Sequence, residues 1–600
     1  MVLEIKRTGK SMIIHDPDFM PVLSFIQDNS GFQPITGENG MVFESRNVEI
    51  NKSGKITEIR ISLELGDHIY GLGEKPGKIE RKRSIHSVYS KDAWNYNRKL
   101  EEIYSSFPSF IIVSAGILEV LVNSGSEITF DFGVSDYNSI TIRIPEEDFE
   151  FFMGSADSFD EIMEWHSLLT GKPFRLPGWV LGPQVSRWSY YPEKMVEQIR
   201  DSYLMEFPLS AIYLDIDYMQ GYRIFTWNRE KFPEPEKLVR ESLEREVRII
   251  PIIDPGIKMD QNFSILRKFM GHLVEDGDGD IFTGYVWPGL CAFPDFLNSE
   301  TRRIWSEEIN KFSSIGIEGI WLDMNEPSVK TVKGKTTESE TINGEALHRL
   351  DDGTVRRHSQ VHNFYPYFQA MATHDALKDN VKEPFVLSRS GYTGIQKYAA
   401  MWTGDNESSY DDLLLQMTMV MSLGISGMPY AGCDLGGFMG YSDHELLCRY
   451  YEMALFFPLY RNHKVKEGND QELFNIPEKY KKRIKSAIET RMLFMEYLQS
   501  VVDESHLTGH PVIRPLFYHY FHDRETLSID DQYMVGSEII YAPQVYRDRN
   551  TRELYIPEGE WINFNNGEKV QERTWMTSGD RFPIYVKERT YRRIKKLQEN

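Results

Sequence analysis

From Trp179 to about residue 498 the chain repeats one phrase, a short apolar run followed by a longer amphipathic stretch. The apolar runs read as strands at Trp179–Gln184, Ala211–Ile216, Val247–Ile253, Gly319–Leu322, Phe385–Ser388, Ala399–Trp402, Gly427–Ala431 and Phe457–Tyr460. Helical spacing of apolar residues follows most of them, at 193–206, 234–245, 299–314, 362–378, 408–424, 442–456 and 478–498. Strands that alternate with helices pair in parallel, and eight such units close into a (β/α)8 TIM barrel. A doubly wound open sheet is the alternative. It would want a glycine-rich phosphate loop after an early strand, and the sequence has none there.

The flanks follow a different period. Val42–Ser45, Ile56–Leu65 and Ser139–Ile144 alternate apolar and polar residues between Gly, Asn and Asp turns, which predicts a β-sandwich. A helix is expected over 155–170. Beyond residue 503 strands are expected at Pro515–Tyr520, Glu538–Tyr541, Leu554–Ile556, Trp561–Phe564 and Phe582–Val586. A chain of 600 residues exceeds one core. The expected organisation is therefore an N-terminal sandwich with its linking helix (1–170), a barrel (171–503) with insertions at about 254–298 and 329–361, and a small C-terminal β-domain (504–600). Both insertions leave strand C-termini, the face that carries barrel active sites. The polar Lys333–Ser339 run reads as a solvated rim outside the chemistry.

Polar residues collect at those strand ends. In Gly319–Ser328 an apolar approach delivers Asp323, Asn325 and Glu326 and is stopped by Pro327. The run Met401–Glu407 brings Gly404 and Asp405. Asp215 and Asp217, Asp254, Arg389, Asp434, Arg461 and His463 end other strands. Carboxylates in such places must be paired, solvated or used. Two acids at two strand ends are the minimum equipment for glycosidic cleavage, one attacking the anomeric carbon while the other protonates the leaving oxygen. Tryptophans such as Trp287 and Trp402 would cover a sugar face. Metal ligation by several aspartates is an alternative. Structural readings stand beside these: Asp217 and Asp254 as loop caps, Glu326 as an orienting group for Asp323 or Asn325, and Cys433 as a packed small residue.

These segments resemble glycoside hydrolase family 31, the retaining α-glucosidase and α-xylosidase family. The match is carried by Tyr70-Gly-Leu-Gly-Glu74, Asp215-Ile-Asp-Tyr-Met219, Trp321-Leu-Asp-Met-Asn-Glu-Pro327, Ser388-Arg-Ser390, Trp402-Thr-Gly-Asp-Asn406, Gly432-Cys-Asp-Leu-Gly-Gly-Phe438 and Arg461-Asn-His463, in family order. The resemblance implies Asp323 as nucleophile and Asp405 as general acid/base, with no cofactor and no metal. It maps the sugar pocket onto Asp215, Ile216, Ile252, Trp287, Met324, Arg389, Trp402, Asp434, Phe438 and His463, and Asp92 onto a loop over the barrel mouth. Asp323 should stay ionised with Arg389 beside it, and Asp405 should hold its proton in a partly desolvated setting. Ile216 after Asp215 is similar to the α-glucosidase pattern, whereas family α-xylosidases more often place Cys-Phe there. The implied activity is exo-acting release of α-D-glucose from maltose-type oligosaccharides. An α-xylosidase, a transglucosidase or glucan lyase on the same intermediate, and a non-catalytic glycan binder are the alternatives. Many family members continue into a distal β-domain, which is expected to be missing after Pro583–Val586.

Composition narrows the partners. A formal charge of −22 argues against nucleic acid, which is bound by neutralising phosphates with Lys and Arg. The three cysteines, Cys291, Cys433 and Cys448, exclude a disulfide scaffold and fit a reducing compartment. With no apolar N-terminal leader and no long apolar window, the expected location is the cytoplasm, without membrane attachment. The expected partner is an oligosaccharide or α-glucoside; assembly with further copies of the chain stays open.

Overall fold

The structure, a computed structural model, describes residues 4–8, 10–15, 20–26, 33–35, 40–94, 96–97, 100, 102–146, 148–333 and 336–599, without the side chains of 4–8, 33–35, 40, 331–338 and 599. Two antiparallel sheets of seven and six strands form the N-terminal sandwich. Strand Arg46–Ser53 alternates buried and exposed residues from its start, and Val48, Ile59, Ile61, Phe110 and Phe130 fill the space between the sheets. Period-2 patterning thus produces one wet and one dry face, as expected for a sandwich. The helix Phe159–Thr170 then leads the chain onward, capped by Ser158, whose side chain accepts from the Glu161 N–H.

Eight short parallel strands make the barrel, in spatial order Ala431–Gly432, Ala400–Trp402, Phe385–Ser388, Gly319–Leu322, Arg248–Ile253, Ala211–Leu214, Gln184–Val185 and Arg461–Asn462. A parallel bridge between Leu435 and Asn462 brings the two edges together. The crossover helices follow the sequence periods closely. Helix Ser299–Ser313, for example, is capped by Asn298 and buries Thr301, Ile304, Trp305, Glu308, Ile309 and Phe312, one stripe at three- and four-residue spacing.

Four expected strands are corrected, each at a proline. Trp179–Gln184 holds a 3-10 turn, Gly178–Leu181, and pairing starts only after Pro183, at Gln184. Pro429 delays the seventh barrel strand to Ala431–Gly432, and Pro458 moves the eighth from Phe457–Tyr460 to Arg461–Asn462. Pro515–Tyr520 is the short helix Phe517–Tyr520. A proline has no N–H for a ladder, so apolar runs that contain one pack without pairing. In the C-terminal β-region the sheet contains Ile513–Arg514, Tyr533–Val535, Ile539–Tyr541, Ile584–Val586, Trp561–Asn563 and Lys569–Val570. Among the described residues no helix is long and apolar enough to cross a membrane.

The insertion at 329–361 begins in a paired hairpin. The hairpin Ser328–Lys333 and Thr336–Thr341 joins Ile257–Lys258, Gly289–Ala292 and Thr283–Val286 in a five-stranded sheet standing over the barrel mouth. Within the Lys333–Ser339 run, residues 334 and 335 lie outside the described residues. Ser339 turns inward.

Candidate active site

A cavity of about 360 Å³ opens at the C-terminal end of the barrel strands. It is lined by Asp92, Asp215, Ile216, Trp287, Asp323, Met324, Arg389, Asp405, Phe438 and His463 from the sequence expectation. Trp94, Trp188, Trp321, Lys330, Ser339, Met439, Val465 and Glu467 complete the wall.

Arg389 organises the floor. Its Nε and Nη2 donate to both oxygens of Glu326, at 2.8 and 2.9 Å. Its Nε also lies 3.0 Å from Asp323 Oδ1, its Nη1 3.7 Å from Asp405 Oδ2, and its Nη2 3.6 Å from Asp92 Oδ1. One guanidinium therefore faces four carboxyl groups. If all four ionised, the cluster would keep an excess of negative charge in a dry setting, which favours retention of a proton on one of them. Asp323 and Asp405 are the two most open to the cavity, at 16% and 17% side-chain exposure, against 6% for Asp92 and 0% for Glu326. Burial pushes the Asp405 carboxyl well above the usual range, and Arg389 only partly offsets it while Asp323 adds to the rise. Burial raises Asp323 as well, but the nearer Arg389 and the Met324 N–H pull it back.

Local backbone follows from this crowding. Met324 sits at φ 59°, a left-handed conformation costly for a side chain of its size, and its sulfur accepts from Arg389 Nη2 at 3.3 Å. Gly404 has φ 68°, and a Cβ there would stand 2.1 Å from the Tyr104 ring. Only glycine lets Tyr104 close beneath the next residue, where its hydroxyl accepts from the Asp405 N–H at 3.3 Å. Asn325 ties two strand ends together, donating to Ser388 Oγ (2.9 Å) and accepting from the Ser390 N–H (3.1 Å).

At the far wall His463 stacks on Phe438 with centroids 4.8 Å apart and meets Trp321 edge-on at 5.2 Å. Its Nε2 is 3.9 Å from Asp215 Oδ2. Burial, helped by Arg461, holds His463 well below the ordinary histidine range, so the ring is neutral and can donate from one nitrogen and accept at the other. Asp92, on the sandwich loop, accepts from Ser328 Oγ (2.9 Å) and Ser339 Oγ (2.6 Å). Trp287 packs on Trp188 at 5.3 Å, and Lys330 Nζ stands 3.2 Å from the Trp287 ring centre.

Three expected contact residues lie behind the wall. Trp402 and Asp434 hold Arg461: the guanidinium donates to Asp434 Oδ1 at 2.6 Å and sits about 5 Å over Tyr213, Trp321 and Trp402. Ile252 is buried, its carbonyl accepting from Tyr218 at 2.8 Å. Asp217 holds loops, through Ser189 (2.6 Å) and Tyr222 (3.2 Å). Asp254 is buried and does not border the cavity. Glu326 orients Arg389 rather than Asp323 or Asn325. Cys433 is packed in the core. Trp321 was within reach of the sequence reading, since it stands two residues before Asp323 on the same strand and shares its face. Lys330 and Ser339 were not, because only the hairpin fold brings them inward.

The chain matches three family models in order: the family 31 galactose mutarotase-like N-terminal domain over residues 9–131, the family 31 TIM-barrel domain over 173–501, and the family 31 C-terminal domain over 509–590. It is 40% identical to an alpha-glucosidase of Saccharolobus solfataricus, over 90% of this chain and 81% of that protein. It is 34% identical to alpha-glucosidase 2 of Bacillus thermoamyloliquefaciens, over 94% and 71%. The fold superposes on a dextranase of Flavobacterium johnsoniae with a TM-score of 0.88 at 24% identity, covering 97% of this chain and 77% of that one. The chain belongs to glycosyl hydrolase family 31 and is a glycoside hydrolase.

Proposed function

We propose that the protein is a retaining, exo-acting α-glucosidase that releases α-D-glucose from the non-reducing end of maltose-type oligosaccharides. Asp323 attacks the anomeric carbon to form a glycosyl ester, and Asp405 protonates the departing oxygen, then takes a proton from the water that resolves the ester. The observation that carries this reading is the shared Arg389. It brings both carboxyl groups to one cavity wall and lies nearer Asp323, favouring charge there and a proton on Asp405. Asp215 and His463 would bind hydroxyls remote from the reacting carbon, contacts that gain strength in the distorted transition state. The names of the two relatives support glucose as the released sugar.

The proposal includes two further points. The modules divide near residues 170/171 and 503/504, where sheet membership changes, although helix Met495–Thr508 continues through the second point. The buried, unpaired state of Cys291, Cys433 and Cys448 supports a reducing, cytoplasmic setting.

The test is a substrate panel on wild type and Asp323→Ala. Turnover of p-nitrophenyl α-glucoside should exceed that of the α-xyloside, vanish in the variant, and return with azide as a product of inverted anomeric configuration. Preference for the xyloside would refute the substrate, and retained turnover in Asp323→Ala would refute the nucleophile.

A further inference from the structure

Behind the site, three fully buried histidines form an unbroken line between the barrel insertion and the sandwich loop. Asp295 Oδ1 meets His348 Nδ1 at 2.7 Å, and His348 Nε2 meets His358 Nδ1 at 2.9 Å. His358 Nε2 meets His362 Nδ1 at 2.8 Å, and His362 Nε2 meets the Ser90 carbonyl oxygen at 2.7 Å. All three rings are 0% exposed and Asp295 is 3%. Tyr89 covers His362 in a stack at 3.9 Å.

Proton counting constrains this line. It contains four contacts of hydrogen-bond length, and each needs one hydrogen. Both ends, a carboxylate and a carbonyl, are acceptors, and each neutral imidazole carries one N–H. Three neutral rings therefore leave one contact as two lone pairs facing each other. The Thr341 hydroxyl, 3.2 Å from His362 Nδ1, does not change the count, because it approaches a nitrogen already engaged by His358. Asp295 is already served as an acceptor by the Arg349 N–H (2.7 Å) and the Leu297 N–H (3.3 Å).

We propose that the Asp295–His348–His358–His362 line holds one proton more than three neutral imidazoles carry, and that this proton makes His362 a positioning residue for Asp92. Burial holds His358 well below the usual range and His362 down at about 4, so those rings stay neutral and the extra proton stands at the Asp295 end. From His348 onward every donor then points toward Ser90: His348 donates to His358, His358 to His362, and His362 to the Ser90 carbonyl, while the Asp295–His348 contact holds the remaining hydrogen. The next residue, Asn363, accepts the Ser90 N–H at 3.1 Å. Both backbone groups of Ser90 are thus clamped two residues before Asp92, whose carboxylate faces Arg389, Ser328 and Ser339 in the cavity wall. The proton content stands independently of the proposed function, whereas the catalytic readout rests on it.

Neutron diffraction from deuterated wild-type crystals at neutral pD reads the first part directly. Four deuterons should lie along the line, including one on His362 Nε2; three, or an empty His362–Ser90 contact, would overturn it. Kinetics with p-nitrophenyl α-glucoside read the second part. His362→Ala should raise KM about tenfold with kcat within threefold, and His362→Gln, whose amide can still donate to the Ser90 carbonyl, should recover most of the loss. An unchanged KM in His362→Ala, or no recovery in the glutamine variant, would refute the positioning role. Absence of glucosidase turnover in wild type would refute the function and leave the deuteron count to decide the proton.

Discussion

Replacing Arg389 with methionine removes the one cation shared by Asp323, Asp405, Glu326 and Asp92 while keeping most of the side-chain volume. With an effective dielectric of about 20, a unit charge pair 3.0 Å apart is worth roughly 5–6 kcal/mol and one at 3.7 Å roughly 4–5 kcal/mol. Breaking a buried pair by deleting one partner costs about 3–5 kcal/mol in practice, so the lower figure is the safer basis. The cluster escapes part of that cost by taking up protons. Asp323 then remains protonated through neutral pH and cannot attack. A loss of about 4 kcal/mol corresponds to a fall of roughly 10³-fold in kcat/KM. Because removal of a cation raises both carboxyl pKa values, the residual pH optimum should move to the alkaline side. Arg389→Lys keeps the charge but loses the two-pronged grip on Glu326, and should fall by about 10- to 100-fold. Release of p-nitrophenol across pH 4–9, with circular dichroism to confirm folding, reads all of this. A methionine variant within tenfold of wild type, or an optimum displaced to acid, would refute the electrostatic account of the site.

Two further outcomes concern stability. Folding raises the Asp405 pKa, so the native state binds its proton more tightly and loses stability as pH climbs from the ordinary carboxylate range through the native value. Asp405→Asn should therefore be inactive yet more stable at pH 7, with the gain gone at pH 3; calorimetry showing a lower Tm at pH 7 would contradict it. Glu504 is the opposite case: burial alone would raise it, but His510 and Arg514, at 3.0 and 2.8 Å, pull it down to about 2. Its contribution is complete above the unfolded value of 4.5 and is lost as pH falls through about 2. With 37% of the side chain exposed, solvent screening limits it to about 1 kcal/mol, so Glu504→Gln should lose that much at pH 7 in urea unfolding and nothing near pH 2.

What the sequence disclosed, and what it withheld, divides along the range of the interactions involved. The crossover helices were legible because a 3.6-residue stripe such as Ile304, Trp305, Ile309 and Phe312 is written in consecutive residues. Strand ends carrying Asp323 and Asp405 were legible for the same reason. Barrel strands one, seven and eight were placed a few residues early, since an apolar run shows burial but not whether its N–H groups find a ladder; Pro183, Pro429 and Pro458 settle that. The cavity wall was the hardest part. Trp402 and Asp434 sit at strand ends, and Arg461, whose partners come from separate strands, holds them beneath the cavity lining. Conversely, Ser339 lies in a run whose composition suggests only solvent, and becomes part of the site because a hairpin pairs Lys330 opposite it. Which of two similar polar residues lines the cavity depends on a third residue elsewhere in the chain, and that dependence is what local patterning cannot express. The histidine line is the extreme case: His348, His358 and His362 stand four to ten residues apart with nothing local to join them, and they share one hydrogen-bonded line only because folding seals both ends with acceptors.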